Sequence, residues 1–267
     1  MKRSIFFLII IFFALNFFSL SFAFDSYGLQ PLAPNGIFST FSTESLPEKS
    51  FSLEVATERS REPNYYRFSL KGAYGITDRI EFSAAVPFVY NFNGAYDGFE
   101  DISFGIKHRF YNEGKHGPSL AYLINASFST GRDEITSNGG YGAGIIASKR
   151  VGPFKGHLNL LYERPGTSRL DEDLLLSAGI ELSAAHNFAL LAELTTRKKL
   201  HNVDETGKYK QMEARFGVRV KTTDSIYTTL GAGFDLESRN PEYRLMLSVT
   251  FLTPHEKKNI EKIYEEE

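Results

Sequence analysis

Apolar and polar residues alternate along most of the chain, between residues 50 and 252 of 267. Such a period of two is typical of β-strands, in which successive side chains point to opposite faces of a sheet, and the spacing of an amphipathic helix is nearly absent. The segment Tyr66–Tyr74 illustrates the pattern, because its charged residues Arg67 and Lys71 lie between apolar neighbours. We count twelve segments of this kind, each of about ten residues and bounded by turn residues.

Short and long connections alternate between these segments. Thr77–Arg79 and Gly152–Phe154 are short turns, whereas Asn91–Gly98 and Thr130–Gly139 are longer polar loops. Bacterial transmembrane barrels have short periplasmic turns at one rim and longer extracellular loops at the other, and a tilted strand of about ten residues crosses the bilayer. The sequence therefore predicts an all-β fold, a transmembrane antiparallel up-and-down β-barrel over residues 50–252. Twelve strands fit the pattern best, and about ten to fourteen are compatible with it.

Aromatic residues are concentrated near the ends of the predicted strands. A membrane-spanning barrel is expected to carry two such belts, and Tyr and Phe would supply them here because the chain has no Trp. We assign Tyr66, Tyr90, Tyr141, Tyr162 and Tyr243 to the rim with the long loops and Tyr74, Phe82, Phe110, Phe188 and Phe251 to the rim with the short turns. A soluble periplasmic β-sandwich is the alternative, but the long strands and the charged second face favour the barrel.

The first 23 residues have the pattern of a cleaved secretory signal peptide. The basic pair Lys2–Arg3 precedes the nearly unbroken apolar run Ile5–Phe18, and Ser21 and Ala23 place small residues at a cleavage site. A membrane anchor helix is the alternative, but no basic cluster follows the run. Export of a barrel-forming chain predicts the outer membrane of a Gram-negative bacterium, with outer-membrane lipid and the barrel-assembly machinery as partners.

Four regions follow from these patterns. Residues 1–23 form the signal peptide, 24–49 an N-terminal segment, 50–252 the barrel and 253–267 a charged C-terminal tail. The N-terminal segment contains three Pro residues and a stretch rich in Ser and Thr. It fits either a plug inside the lumen or a loose periplasmic arm, and the sequence favours neither.

Charged residues occupy the polar face of the predicted strands, which would face the lumen of a barrel. They are Arg67, Lys71, Glu81, Asp101, Lys107, Arg109, Glu181, Glu193, Arg197, Glu213, Arg215, Arg219 and Arg244. One interpretation is a narrow polar channel whose charges select solutes. The other is a network of salt bridges that closes the lumen of a structural or surface-interaction barrel. Barrels of about eight strands are filled and those of about sixteen are open, so twelve strands leave both interpretations open.

Composition narrows the possible chemistry. The chain has no Cys and a formal net charge of −2, which excludes disulfide frameworks, cysteine-based metal sites and the basic surface expected of a nucleic-acid-binding protein. Its six His show no metal-ligand spacing, and we predict no metal, no cofactor and no catalytic residue. A membrane-embedded hydrolase is the least favoured alternative; it would use Ser148 and His157, on adjacent predicted strands.

Two stretches of the chain resemble a known family of outer-membrane barrels. Gly75–Pro87, with the sequence GITDRIEFSAAVP, and Asp97–Phe110, with the sequence DGFEDISFGIKHRF, resemble the family of the MetA pathway of phenol degradation, whose members are often called transporters. The second stretch follows that family's GDxxxGxKYRF strand, but Glu100 replaces a Gly and His108 an aromatic residue. The match covers residues 72–111. It implies a channel or transporter for the passive passage of small solutes, aromatic or hydrophobic ones included, and it identifies no particular solute.

Overall fold

The computed structural model describes residues 29–61, 63–115, 117–167, 172–200, 210–236 and 243–253. The predicted signal peptide lies outside the described residues, as does nearly all of the predicted C-terminal tail. The described residues form a closed antiparallel β-barrel, and they contain no helix. In this part of the chain no helix is long and apolar enough to cross a membrane, a finding that does not bear on spanning strands.

Thirteen strands make up the wall. They are β1 (Phe51–Arg61), β2 (Asn64–Thr77), β3 (Ile80–Phe92), β4 (Tyr96–Phe99), β5 (Ile102–Tyr111), β6 (Ser119–Phe128), β7 (Gly140–Val151), β8 (Phe154–Pro165), β9 (Asp173–Ala185), β10 (Phe188–Lys199), β11 (Lys210–Thr223), β12 (Ile226–Asp235) and β13 (Tyr243–Leu252). Consecutive strands pair with one another, except that β3 pairs with both β4 and β5. The strand β1 pairs with β13, from Ser52 opposite Leu252 to Ser60 opposite Arg244. This last pairing closes the sheet, so no strand edge is left for the lipid to cover.

The short strand β4 and the strand β5 occupy one position in the barrel. The upper part of β3 pairs with β4, where Phe88 faces Phe99, and its lower part pairs with β5 through Ile80–Ala85. Between them the carbonyl of Pro87 accepts the Glu100 backbone N–H at 3.0 Å. Proline lacks the N–H that an unbroken partner strand would need, and here it faces the interruption. With β4 and β5 taken together, the barrel has the predicted twelve strands.

Burial in this barrel is the reverse of that in a water-soluble protein. Along β2 the apolar Leu70 is 50% exposed, whereas the neighbouring charged Lys71 is 5% exposed. The same alternation recurs around the wall, so the outer face is an apolar band and the inner face is polar, as in transmembrane barrels. Each of the ten aromatic residues predicted to form belts lies on the outer face and is exposed or half-buried: Tyr66, Tyr74, Phe82, Tyr90, Phe110, Tyr141, Tyr162, Phe188, Tyr243 and Phe251.

Candidate functional site: the lumen and its N-terminal segment

Most of the charged residues predicted to line the lumen are buried inside the barrel. Arg67, Lys71, Glu81, Asp101, Lys107, Glu193, Arg197, Glu213, Arg215, Arg219 and Arg244 are each less than 9% exposed. The other two, Arg109 and Glu181, are half-buried. Arg109 donates to the carbonyl of Asp78 in the β2–β3 turn at 2.7 Å, which places its guanidinium at the rim, and Glu181 pairs with Arg219 at 2.8 Å.

Charges of alternating sign run around part of the wall, from β10 to the junction of β4 and β5. In order they are Glu193, Arg215, Glu213, Arg244, Glu58, Arg67 and Glu100, a set that we call the charge chain, and successive members lie 2.8–3.7 Å apart. The charge chain crosses the β1–β13 seam that closes the barrel, because Arg244 of β13 contacts Glu58 of β1 at 3.3 Å. Since every member of the charge chain except the half-buried Glu58 is buried, these contacts replace the water that would otherwise solvate the charges.

Several inner polar residues were absent from the set predicted to line the lumen. They are Glu54, Glu58, Glu100, Lys155, His157, Glu163 and Asp173, all buried except the half-buried Glu58. The period of two could have found Glu54 and Glu58, because they lie four residues apart on the polar face of β1. Glu100 carries no such signal, because it lies where the strand pattern is interrupted.

Residues 29–46 of the N-terminal segment lie inside the barrel, and we call this part the lumen segment. Glu48 and Lys49 are exposed beside the β2–β3 turn. Its backbone binds inner side chains from widely separated strands. The Leu46 N–H donates to Glu81 of β3 at 2.8 Å, and the Thr40 N–H donates to Glu193 of β10 at 2.8 Å. Phe41 is held from both sides, because the Asn159 amide accepts from its N–H at 2.6 Å and donates to its carbonyl at 2.9 Å.

The N-terminal half of the lumen segment contacts β1 and β11. A β-bridge between Gly36 and Phe41 reverses its direction. Arg219 of β11 donates to the Gly36 carbonyl at 2.5 Å, and Glu54 of β1 accepts the Ala33 N–H at 3.1 Å. The segment is therefore bound around the circumference of the lumen, mostly at the level of its short-turn half.

Glycines of the wall provide space for side chains of the lumen segment. Gly217 of β11 and Gly231 of β12 lie opposite each other, and the ring of Phe38 lies against both. A Cβ atom at Gly231 would come within 2.3 Å of that ring, and one at Gly217 within 2.6 Å, which is closer than carbon atoms can approach. Gly179 is similarly covered by Ile37, whose Cδ1 would lie 2.9 Å from an added Cβ.

One part of the inner wall is apolar. Ala85, Ala121, Leu123, Ile146 and Leu161, from β3, β6, β7 and β8, form a buried cluster that we call the apolar strip. Leu29 and Phe41 of the lumen segment pack on it. An apolar strip inside a polar lumen is unusual, because the lumen of a water-filled pore is normally hydrophilic.

The lumen segment leaves little free volume beside it. Two of the cavities between the segment and the wall measure about 60 and about 20 Å³. Glu54, Lys71, Arg215 and Arg219 line the larger one. These cavity volumes suffice for a few water molecules, since one water molecule needs about 10–15 Å³.

Ser148 and His157 are close together, as a hydrolase would require. The Ser148 Oγ lies 2.8 Å from His157 Nδ1, and the two residues face each other across β7 and β8. The same Oγ accepts the Thr43 N–H of the lumen segment at 3.0 Å, and both side chains are buried. A substrate carbonyl could not reach this hydroxyl while the segment is in place. Among the described residues, no group of three or more His, Asp or Glu is placed to hold a metal ion.

At the long-loop end, Asp101 organises the connection between β6 and β7. Its carboxylate accepts hydrogen bonds from the Gly131 and Gly139 N–H groups at 3.1 and 2.8 Å, and from the Thr136 and Ser137 hydroxyls. Burial acts to raise the pKa of Asp101, but these hydrogen bonds outweigh it and the pKa is lowered. A lowered pKa in the folded protein means that the carboxylate stabilises the loop above its unfolded pKa of about 4, and that the stabilisation is lost as the pH falls through the folded value.

We expect the substitution Asp101→Asn to loosen this loop at neutral pH. An amide keeps only one acceptor oxygen, so part of the hydrogen bonding is lost, and amide exchange at Gly131 and Gly139 should accelerate by about tenfold. Hydrogen–deuterium exchange would measure this, with Asp133→Asn, an exposed carboxylate of the same loop, as the control. Equal exchange in the two variants would show that the loop is held by other contacts.

The fold and the lumen define a class of protein, the outer-membrane-type β-barrel, here with a segment of its own chain inside the lumen. Known structures of similar fold include the NanC porin (TM-score 0.60, 12% identity, covering 74% of this chain and 98% of that one) and the KdgM porin (0.58, 11%, 76% and 99%). An outer membrane channel from Pseudomonas putida F1 is also similar (0.60, 14%, 79% and 98%). At these identities the likeness shows the fold alone.

Sequence comparison with known proteins finds no relative of this chain. No known protein family matches the chain, and neither does any curated protein. The resemblance of residues 72–111 to the MetA-pathway family therefore stays a prediction.

Proposed function

We propose that the protein is an outer-membrane channel for the passive passage of small solutes, and that the lumen segment closes the channel at rest. The observation that carries this proposal is that a separate segment of chain fills the short-turn half of the lumen. The porin and channel folds of the similar structures support it. The predicted signal peptide and the apolar outer band support a location in the outer membrane.

The wall itself favours a channel over a permanently sealed structural barrel. A small barrel is usually sealed by side chains of its own strands, which fill the interior. In this barrel Gly179, Gly217 and Gly231 leave space at the inner face that the lumen segment fills. The charge chain also pairs within the wall, so its charges keep most of their partners when the segment is absent.

The apolar strip supports small aromatic or hydrophobic molecules as the solutes. Leu29 and Phe41 cover it at rest, so displacement of the segment would expose an apolar surface among charged residues. A ring or short alkyl chain of similar size to these side chains could bind there in their place. Burial of such a group contributes about 2–3 kcal/mol, enough to favour its entry over that of a fully polar solute.

We expect Gly231→Leu to open the channel partially without changing the strands. The new side chain would occupy the position of the Phe38 ring, and the lumen segment would be pushed away from β11 and β12. Passage of small solutes into liposomes that contain the purified barrel should rise by about tenfold, and more for phenol-sized molecules than for sugars of equal mass. The measurement is the rate of liposome swelling.

Gly156→Leu provides the matched control. Gly156 also lies within a strand, but a Cβ there meets only a backbone carbonyl at 3.9 Å, and its neighbours two residues along the strand face outwards. This variant should leave the swelling rate unchanged. Equal rates for Gly231→Leu and the unmodified protein, both correctly folded, would contradict closure by the lumen segment. Equal passage of aromatic molecules and sugars would contradict the solute class alone.

A further inference from the structure

A cluster of two Arg and two Tyr lies on the outer face at the long-loop end of β1, β2 and β3. Arg59, Tyr66 and Tyr90 are direct neighbours across the three strands, and Arg61 lies two residues beyond Arg59 on the same face of β1. We call these four residues the Arg–Tyr patch. The guanidinium of Arg59 lies over the Tyr66 ring, 4.0 Å from its centroid, and the two Tyr rings are 6.3 Å apart.

The surface below the Arg–Tyr patch is apolar. Phe68 and Leu70 of β2, Val55 of β1 and Leu245 of β13 are each about half exposed on the outer face. Arg59 and Tyr66 therefore lie where the lipid-facing band meets the headgroup region, the level at which Tyr and Arg are favoured in membrane proteins.

Among the described residues, no acid of the wall forms an ion pair with Arg59 or Arg61. The acids of β1 and β3, Glu54, Glu58 and Glu81, belong to the polar inner face. The outward acid of β4, Asp97, accepts the Asn91 backbone N–H. Two guanidinium groups thus face the headgroup region, and such groups bind phosphate through paired hydrogen bonds.

We infer that the Arg–Tyr patch binds a phosphorylated glycolipid of the outer leaflet, with a phosphate on Arg59 and Arg61 and acyl chains on the apolar surface below. The inference rests on the membrane orientation that the proposed function implies, in which the long loops are extracellular. Lipid A has the required chemistry: sugar-borne phosphate groups above several acyl chains. The sugar rings would lie against Tyr66 and Tyr90.

Native mass spectrometry of the detergent-solubilised barrel tests the inference. The probes are lipid A, its dephosphorylated form and phosphatidylglycerol, and the expected order of binding is lipid A well above the other two. The double substitution R59Q/R61Q should weaken lipid A binding by about a hundredfold, since both charged donors to the phosphate are removed. Heat-modifiable gel migration checks that each variant is folded.

Arg164→Gln is the matched control. Arg164 also lies on the outer face at the long-loop end, but Glu172 is 3.5 Å away and already pairs with it. This variant should bind lipid A as the unmodified protein does. The inference would be overturned if Arg164→Gln lost as much lipid A binding as R59Q/R61Q. It would also be overturned if the unmodified protein bound dephosphorylated lipid A or phosphatidylglycerol as tightly as lipid A. Swelling rates with R59Q/R61Q should not change, so a failure of the channel proposal would be seen separately.

Discussion

A chain that lacks residues 29–48 is expected to conduct ions about tenfold or more better than the intact protein in planar bilayers. Twelve strands spaced about 4.8 Å apart and tilted by about 40° enclose a backbone cylinder of radius about 12 Å. Inner side chains reduce the free radius of the lumen to about 6 Å. In the intact protein the lumen segment occupies much of that space, and two of the cavities beside it measure about 60 and about 20 Å³.

Single-channel recording measures this effect, and two comparisons make it interpretable. A chain with Gly and Ser replacing residues 29–48 keeps the length of the segment but removes its side chains, and it should conduct nearly as well as the deletion. The variant Ser45→Ala, which changes one contact with the carbonyl of Arg79 at the short-turn rim, should conduct like the intact protein. If the deletion leaves the conductance unchanged, the side chains of the wall close the lumen and the channel proposal loses its main support.

Removal of the charge at the seam of the barrel is expected to destabilise the fold by about 3–5 kcal/mol. Arg244→Met removes the guanidinium that lies 3.3 and 3.5 Å from Glu58 and Glu213, and leaves each of these carboxylates with one Arg partner instead of two. The unfolding midpoint in urea, followed by the loss of heat-modifiable migration, measures the change. Arg164→Gln removes a more exposed pair and should cost less than about 1 kcal/mol.

A second substitution separates the charge from the packing of the Arg244 side chain. In the double variant Glu58→Gln and Arg244→Met, one of the two carboxylates that lose Arg244 is removed, and about half of the lost stability should return. No recovery would show that the aliphatic part of Arg244, rather than its charge, carries its contribution.

The fold could be predicted because lipid imposes a strict rule on every strand. Residues such as Phe68 and Leu70 must be apolar where they face acyl chains, and their neighbours Arg67 and Lys71 are free to be charged, so the period of two is strong in the sequence. The two rims could also be predicted from the sequence, because turn lengths and the positions of aromatic residues indicate where each strand leaves the membrane. The interruption at Glu100 could be predicted only in part, because Pro87 indicates a break in the ladder but no pattern shows that Glu100 lies in the lumen.

The position of the lumen segment could not be predicted from local patterns. Phe41 binds Asn159, which is 118 residues further along the chain, and Thr40 binds Glu193, which is 153 residues away. These contacts depend on how the closed wall arranges its inner face, and the segment itself has no periodicity that would reveal its neighbours. A Pro-containing polar stretch can lie in solvent or in a polar lumen with equal ease.

The contact of Phe38 with Gly217 and Gly231 has a consequence for how this sequence can vary. The aromatic ring and the two glycines share one fixed volume, so bulk can be exchanged between the segment and the wall but cannot be added to both. A smaller residue at position 38 would tolerate Ala or Val at position 231, whereas Phe38 requires glycine there. Among natural homologues, positions 38 and 231 should therefore covary, and this covariation would indicate the closed state from sequences alone. Gly217 should not vary with them, because the Leu230 backbone oxygen would lie 2.3 Å from an added Cβ.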